Sequence, residues 1–416
     1  MTYLEFILGN RRFLVFGVAA AALSGFGQTF FISLFGGQIR AGFDLSHGEF
    51  GALYSAATLV SGLSIVSAGR QMDRMDLRAF AALVTLGVAM GCLLMATAGT
   101  VWLVALAMFL LRLTGQGLMT HMAFTSMGRF FETGRGKAVS IAGMGMPLAE
   151  AALPPLAVAV TAAAGWRGTW ALAAGFMLVV ALPLLQGLLS GHGARKRWLH
   201  DRTGAEVGTD SAGPRQWRRG EVLRDPRFYL LLPAVLAAPL IVTALFFHQV
   251  HVAEAKGWEL SWLAASFTAF AATHVVGLLV FGEVVDRTGA RGMLPYFLLP
   301  MAGGLVVLAT FADPWAAWPY MALMGLTMGG TGTVLGALWP ELYGVAHLGA
   351  IRAVVQAAMV LSTAVSPVAA GVLLDQGWSV TVLALVLCAY IAVATALAVV
   401  ALRLPVVRYP GSSTEV

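Results

Sequence analysis

The sequence GRQMDRMDLR at residues 69–78 and the sequence GEVVDRTGAR at residues 282–291 share the pattern G-x-x-x-D-R-x-x-x-R. The second copy begins 213 residues after the first, and each copy separates two long apolar segments. A pattern that recurs at this distance indicates that the two halves of the chain are copies of one unit. Paired apolar bundles of this kind are typical of membrane transporters. The eight residues of the pattern are Gly69, Asp73, Arg74 and Arg78, and Gly282, Asp286, Arg287 and Arg291.

The composition places most of the chain in lipid rather than in water. The sequence is 59% hydrophobic and 11% charged, and charge-free stretches of about 20 residues, the length that crosses a bilayer, recur throughout. A soluble domain carries a much larger share of charged residues. We therefore predict an all-α membrane protein, because a helix satisfies its own backbone hydrogen bonds in lipid.

Twelve membrane-spanning helices fit the apolar segments. The charge-free run 79–111 is too long for one span, so we divide it near Gly99. The chain is expected to form two six-helix pseudo-repeats around a central cavity. An N-terminal bundle at 1–190 and a C-terminal bundle at 228–416 would be joined by a cytoplasmic linker at 191–227. The predicted spans are 13–38, 50–69, 79–98, 101–125, 138–163, 168–190, 228–253, 261–282, 292–312, 316–339, 349–373 and 377–402.

The basic residues predict the orientation of the bundle. With the N-terminus inside the cell, 22 of the 26 Lys and Arg residues fall in cytoplasmic segments and three fall in outer loops. Such a bias toward the cytoplasm sets the topology of membrane proteins. We expect an integral protein of the cell (inner) membrane with both termini cytoplasmic. Nine basic residues in 195–227 suit contact with anionic lipid headgroups, so the net charge of +6 requires no nucleic-acid partner.

The match between the halves extends beyond the loops. With the same offset, residues 108–117 and 321–330 both read M-x-x-x-x-L-T-x-x-G. The twin loops, the twelve spans and the long middle segment resemble the major facilitator superfamily over nearly the whole chain. The sequences LRDPRF at 223–228 and GWRG at 165–168 are similar to its branch of monocarboxylate and oxalate–formate carriers.

The resemblance implies a role for the repeated loop pattern. Its residues would form a gate that stabilises one access state of the transporter. Asp73 would approach the positive N-terminal end of span 11, where a carboxylate is stabilised. Arg74 and Arg78 would supply partners across the cytoplasmic side. None of these residues is expected to contact substrate.

Two charged residues interrupt the match between the halves. Arg112 in span 4 corresponds to Gly325, and Glu150 in span 5 corresponds to Ser362. Both lie about 18–20 Å from the cytoplasmic end of their span at ~1.5 Å per residue, near the bilayer centre. Charged residues at this depth usually face a cavity or a partner. We expect Arg112 to bind substrate, Glu150 to couple protons, and the two to pair when the cavity is empty. The alternative is a structural ion pair between spans 4 and 5.

Further polar residues fall in spans that line the central cavity of the resembled family. Arg112, Gln116 and Gly117 look like that family's basic motif in span 4, with one extra residue between Arg112 and Gln116. Each intramembrane histidine is alternatively a hydrogen-bonded structural group. The candidate substrate ligands besides Arg112 are Gln28, Gln116, His248, Gln249, His274 and Gln356.

These residues predict secondary active transport of a small organic anion, such as a monocarboxylate, by alternating access and with proton coupling. An anion that binds Arg112 would leave Glu150 free to take up a proton, so substrate and proton would bind together. Proton-driven efflux of amphipathic compounds and a non-transporting sensor with a transporter fold are the alternatives. We expect a monomer with no cofactor, no metal site and no enzyme activity. Its partners would be the solute, protons and membrane lipids.

Overall fold

The computed structural model describes residues 3–69, 71–131, 135–191, 217–344 and 347–404. Nearly all of these residues are helical, and none of them forms a strand. Twelve helices correspond to the twelve predicted spans, which confirms the fold class. They are α1 (Glu5–Gly27), α2 (His47–Gly69), α3 (Leu77–Thr97), α4 (Val101–Gly128), α5 (136–164), α6 (166–188), α7 (Pro226–Phe247), α8 (Leu260–Met293), α9 (Leu299–Thr310), α10 (Pro314–Tyr343), α11 (Ile351–Asp375) and α12 (Val380–Arg403).

Two glycines interrupt long helical stretches. Gly165, at φ 70° and ψ 169°, divides the helical stretch Gly136–Leu188 into α5 and α6. Gly289, at φ 74° and ψ 158°, interrupts the last part of α8. Both conformations are accessible in practice only to glycine. These two residues therefore turn the chain within the gaps 164–167 and 283–291 that separate predicted spans.

Short polar side chains fix the start of several helices. Asp76 accepts a hydrogen bond from the Arg78 N–H ahead of α3. Ser379 does the same for the N–H of Val382 ahead of α12. Each cap satisfies a backbone donor that the first turn of a helix leaves unpaired. The charged and polar gaps between the apolar runs thus set where these spans begin.

The sequence LRDPRF begins α7 with a buried ion pair. Asp225 accepts from the Arg227 N–H at 3.0 Å, and the two side chains pair at 2.7 Å. Tyr343, at the end of α10, donates a hydrogen bond to the same carboxylate at 3.1 Å. Pro226 occupies the first turn, where a missing N–H costs nothing. This sequence therefore joins the start of α7 to α10 and has no direct part in the cavity described below.

The first half of the molecule consists of α1–α6 and the second half of α7–α12. We call the face where α1 begins and α12 ends the terminal face, and the opposite one the distal face. The halves pack against each other mainly along α2 with α11 and along α5 with α8. Gly51 of α2 lies so close to α11 that an added Cβ would approach the Pro367 oxygen to 2.7 Å.

Candidate functional site

A cavity of about 420 Å³ lies between the two halves. Residues of α1, α2 and α4 line it from the first half, and residues of α7 and α11 line it from the second. The polar lining residues are Gln28, Thr58, Ser61, Arg112, Gln116, Thr120, Gln356 and Thr363, and the apolar ones include Ile65, Pro239, Met359 and Val360. The structure therefore brings together four of the seven predicted substrate ligands, namely Gln28, Arg112, Gln116 and Gln356.

Arg112 is the one cation of the cavity lining among the described residues. The residue is only 2% exposed. Its Nη1 donates a long hydrogen bond of 3.4 Å to the Gly27 oxygen, and its guanidinium carbon lies 4.9 Å from the centre of the Tyr54 ring. Within the described part of the chain, no atom accepts a hydrogen bond from its Nε, and no carboxylate pairs with it. The charge is thus buried with weak compensation.

The backbone of α1 and α4 is irregular beside this guanidinium. At Gln28, α1 leaves the helical conformation, with φ −81° and ψ 155°. The adjacent turn at Ser24–Gly27 is tightened to 3₁₀ geometry. In α4, residues Leu111–Met119 form widened π-helical turns. Such turns are frequent at functional sites because they redirect side chains and leave backbone groups available.

Two glycines allow α1 and α4 to touch at this level. A Cβ added to Gly27 would lie 2.2 Å from the Leu111 oxygen, and one added to Gly115 would lie 2.8 Å from the Gly27 Cα. Neither position tolerates a side chain without movement of the backbone. The close approach places the Gly27 carbonyl within reach of Arg112.

Aromatic side chains close the cavity toward the distal face. The Tyr54 ring lies 4.6 Å from the Phe247 ring, and Phe50 stacks on Phe247 at 4.8 Å. The Tyr54 hydroxyl and the Thr29 hydroxyl share a hydrogen bond of 2.6 Å. Because Phe247 belongs to the second half, this cluster seals the two halves together above Arg112.

Gln249 also belongs to the contact between the halves. Its Nε2 donates hydrogen bonds to the Phe30 oxygen and to the Ser33 hydroxyl, both at 2.8 Å. Ser33 in turn donates to the Phe246 oxygen at 2.6 Å. The side chain is 2% exposed and does not line the cavity. Its position at the end of α7 therefore makes it part of the distal closure, whereas we predicted a substrate ligand.

The other two predicted ligands, His248 and His274, also lie away from the cavity lining. His248 Nε2 bonds to the Pro367 oxygen at 2.9 Å and so joins α7 to α11. His274 Nδ1 lies 2.8 Å from Glu150 Oε2. This second contact links α8 with α5 and crosses between the halves. Glu150 is 6% exposed, so the pair is largely withdrawn from solvent.

Glu150 therefore pairs with His274, and the expected pair with Arg112 does not form in this structure. The reason is the position of α1, which packs between α4 and α5. Gly27 of α1 contacts α4, whereas Gly25 contacts Ala149 and Leu153 of α5. Two spans that are consecutive in sequence are thus separated in space.

The second-half copy of the repeated loop pattern lies outside the cavity. Arg287 pairs with Glu283 on the exposed surface. Asp286 and Arg291 are exposed, and an added Cβ on Gly282 would meet no atom within 4 Å. The copy forms a charged turn at the terminal face.

The first-half copy occupies the same face. Gly69 ends α2, Arg74 is exposed, and the Arg78 oxygen accepts a hydrogen bond from Gln186 Nε2 at 2.9 Å. The side chain of Asp73 lies outside the described residues, as does part of the chain ahead of α11. The expected contact between Asp73 and the start of α11 stays a prediction. The predicted linker also falls mostly outside the described residues, at 192–216.

Two features of the site escaped the sequence analysis. Tyr54 lies in an apolar run of α2, and nothing in its spacing indicates a contact with Arg112. The break at Gln28 had a signal in the preceding sequence Ser-Gly-Phe-Gly, since glycine pairs weaken a helix. Among the described residues, no cluster of three His, Cys, Asp or Glu side chains could hold a metal ion.

Comparison with known proteins agrees with this architecture. The family model described as Major Facilitator Superfamily matches residues 17–320 and 250–415. A bacterial homolog of the human lysosomal transporter Spinster, in an inward-facing and unoccupied conformation, superposes with a TM-score of 0.65 at 15% identity. The match covers 94% of each chain. The same homolog in an occupied conformation gives 0.62 at 16% identity, over 97% of this chain and 96% of that chain.

A third solved structure is similar over nearly the full length. The nucleoside transporter NupG superposes with a TM-score of 0.70 at 10% identity, over 95% of this chain and 99% of that chain. No curated protein matches the chain by sequence. At these identities the structural likeness establishes the fold alone.

Proposed function

Because the chain belongs to the major facilitator superfamily, we propose that it carries a small organic anion across the membrane by alternating access, with proton coupling. The family and the fold indicate a transporter and not an enzyme. The proposal concerns the solute class, the coupling ion and the residues that bind them.

The observation that carries the proposal is the unpaired charge of Arg112. A charged side chain at mid-membrane is costly unless a partner or water compensates it. Arg112 has one long hydrogen bond and one aromatic contact, and no carboxylate among the described residues pairs with it. An anionic solute in the cavity would supply the missing partner, with charge-assisted hydrogen bonds to the guanidinium.

The remaining lining suits an organic anion with a polar and an apolar part. Amides of Gln28, Gln116 and Gln356 offer both donors and acceptors. Met359 and Val360 supply an apolar wall on α11. Because the described lining has one cation, a solute with a single negative charge is the best match. A monocarboxylate, the solute class suggested by the local sequence motifs, fits this pattern.

Glu150 and His274 are the groups that we assign to proton coupling. They form the ionisable pair inside the described bundle that joins the two halves, at 2.8 Å. A carboxyl and an imidazole at this distance share a proton, and loss or gain of one proton changes the strength of their contact. Because alternating access moves the halves relative to each other, the protonation of this pair would bias one access state.

Coupling would then act through conformation rather than through competition for Arg112. The solute binds between α4 and α11, whereas the proton binds between α5 and α8. Each ligand favours the arrangement of the halves that suits its own site, and such coupling is reciprocal. The distribution of basic residues favours a cytoplasmic terminal face, so the closed distal face would be the outer one.

The solute assignment is tested by ligand-induced thermal stabilisation of the purified protein. Monocarboxylates, dicarboxylates and neutral analogues are compared on the native protein and on Arg112→Ala. We expect stabilisation by monoanions alone, because a bound ligand stabilises the folded state. Loss of a buried charged partner costs about 2–5 kcal/mol, so affinity should fall by at least about 30-fold.

Arg403→Ala is the matched control, since Arg403 is exposed at the end of α12. This variant should keep the native ligand response. Equal stabilisation by neutral analogues, or an unchanged response in Arg112→Ala, would contradict the anion assignment.

The coupling assignment is tested in proteoliposomes with the anion found by that screen. Glu150→Gln should abolish uphill uptake driven by a pH gradient and leave counterflow of labelled solute intact, because counterflow requires no net proton movement. His274→Gln should give the same result. Ser362→Ala, at the corresponding position of the second half, is the control and should keep pH-driven uptake.

Three outcomes of this assay test the coupling residue and the candidate functions. Uphill uptake that persists in Glu150→Gln would remove Glu150 from the coupling mechanism. Solute movement only against the proton flux would favour the alternative of proton-driven efflux. If no solute accumulates under any gradient, a non-transporting role becomes the better reading.

A further inference from the structure

Three histidines from both halves meet at the closed distal face. His47 begins α2 in the first half, and His248 and His251 follow the end of α7 in the second. The ring centre of His47 lies 4.6 Å from that of His251 and 5.7 Å from that of His248. We call these three residues the distal histidine cluster.

The neighbours of the cluster make it a poor place for additional positive charge. Arg40, on the helix Gly36–Phe43 that continues α1, contributes a cation to the same contact region. The space enclosed by Arg40, the three histidines and their apolar neighbours is only about 10 Å³. A single water needs roughly that volume, so about one water at most fits among these side chains.

Three carboxylates lie near this region, and two of them are already engaged. Asp375, at the end of α11, accepts hydrogen bonds from the N–H groups of His47 and Gly48 at 2.9 and 2.7 Å. It therefore caps α2 across the contact between the halves. Glu254 is exposed on the same helix as His251. Glu49, one turn into α2, accepts from the Ser46 N–H at 2.8 Å.

We propose that the distal histidine cluster is a proton-binding site that opens the distal face when it is protonated. Imidazolium groups 4.6–5.7 Å apart repel one another, and Arg40 adds to the repulsion. Because the cluster straddles the two halves, separation of the distal ends relieves this repulsion. The same movement breaks the contacts of Gln249 and of Asp375 with the first half.

The shift in the pKa of His251 agrees with opening of the distal face on protonation. His251 lies on the helix Gln249–Lys256, beyond the end of α7. Burial lowers its pKa, Arg40 lowers it further, and Glu254 and Asp375 oppose the shift without cancelling it. In the open state the imidazole would meet water and regain a pKa near ~6.5.

The sign of the pH effect follows from this difference. A group whose pKa is lower in the closed state binds protons more tightly in the open state. Above the ordinary pKa of histidine, protonation does not change the balance between the closed and open states. Below it, each bound proton favours the open state. Acidification therefore shifts the population toward an open distal face. Each imidazole whose pKa rises by one unit on opening contributes up to about tenfold.

His248 has a defined place for its proton. Its Nε2 lies 2.9 Å from the Pro367 oxygen, so the neutral ring carries its hydrogen on Nε2. The added proton would therefore bind Nδ1. The hydrogen bond to α11 survives protonation, and the new charge then acts on His47 across the contact between the halves.

The experiment measures the separation of the distal ends directly. Spin labels are placed at Gly42→Cys in the first half and Gln376→Cys in the second, in a background of Cys92→Ala and Cys388→Ala. Both label sites are exposed, and a Cβ at residue 42 meets no atom within 4 Å. Distance distributions are recorded in nanodiscs between about pH 7.5 and about pH 5.5, which brackets the ordinary pKa of histidine.

The long-distance population should rise as the pH falls in the parent protein. Replacement of all three histidines by glutamine should remove this rise, and His251→Gln alone should reduce it. His347→Gln is the matched control, because it removes an exposed histidine ahead of α11 and leaves the cluster intact; the rise should remain. The measurement requires neither solute nor a pH gradient, so it stands apart from the transport assays.

Three results would overturn the proposal. They are a parent protein whose distances ignore pH, a triple variant that keeps the full response, and a response that disappears in His347→Gln alone. If the triple variant does not fold, His251→Gln decides, since His251 is only partly buried and has no described hydrogen bond in its side chain. An unchanged response in that single variant would then refute the role of His251.

Discussion

The same face of two corresponding helices has opposite surroundings in the two halves. On α4 this face carries Arg112 and Gln116 and borders the cavity. On α10 it carries Gly325 and Gly329 at the matching positions and is buried against α8. In the first half this face is a wall of the cavity, and in the second half it is a packed seam between helices.

The seam in the second half leaves no space for side chains. A Cβ on Gly325 would lie 2.1 Å from the Phe270 oxygen, and one on Gly329 would lie 2.0 Å from the His274 oxygen. From α8, a Cβ on Gly277 would lie 2.3 Å from the Leu326 oxygen. Backbone therefore meets backbone at these three positions, as in other small-residue helix interfaces in membranes.

Near the cavity, the helices of the first half depart from regular α-helical geometry. Its α1 leaves the helical conformation at Gln28, and its α4 widens at Leu111–Met119. The corresponding α7 and the helix Ala317–Tyr343 of α10 remain continuous. In these two pairs of helices, the irregular backbone therefore belongs to the first half. Irregular backbone inside a membrane is tolerated where it borders a cavity.

The largest expected effect on this comparison comes from Gly325→Ala. Its added methyl group would collide with the backbone of α8, so the helices must separate. Overpacking of this kind costs about 1–3 kcal/mol. We expect a lower free energy of unfolding, measured by denaturant titration of the protein in micelles.

Gly332→Ala is the matched control for that substitution. Gly332 lies two turns further along α10, and a Cβ there meets no atom within 4 Å. This variant should be as stable as the native protein or slightly more stable, because alanine favours a helix over glycine. If the two variants unfold alike, the contact between α8 and α10 is not a close-packed seam.

Much of this architecture could be predicted from the sequence. The repeated loop pattern and the hydrophobic segments were sufficient for the twelve helices and the superfamily, and both are confirmed. The mismatch between Arg112 and Gly325 pointed to a residue that the structure places in the cavity lining. Helix packing explains why the matching position is Gly325, and a single sequence does not reveal such packing.

The partner of Glu150 could not be predicted in this way. Depth along a span follows from residue number, but the direction around the helix axis and the order of helices in the bundle do not. Because α1 packs between α4 and α5, Glu150 meets His274 of the other half. The sequence also indicated His248 and Gln249 as candidate ligands, because it does not give the direction of side chains around a helix. In the structure the end of α7 lies in the distal closure.

The smallest expected effect concerns the way each half caps the helix start within its repeated loop pattern. In the first half, Asp76 caps α3 from its own chain, with one bond to the Arg78 N–H. In the second half, Gly289 stands at the turn, and Glu341 of α10 reaches across to accept from the N–H groups of Ala290 and Arg291 at 2.7 and 3.1 Å.

The second arrangement ties two helices together, whereas the first caps only one. Loss of a cap costs about 0.5–2 kcal/mol. Glu341→Ala leaves two donors unpaired and frees the end of α10, so we expect it to destabilise the protein more than Asp76→Ala does. Glu341→Gln should recover part of the loss, because an amide oxygen still accepts a hydrogen bond without the favourable charge at the helix start. Unfolding titrations of the three variants test this order, and equal losses for Glu341→Ala and Asp76→Ala would show that the link between helices adds nothing to the cap itself.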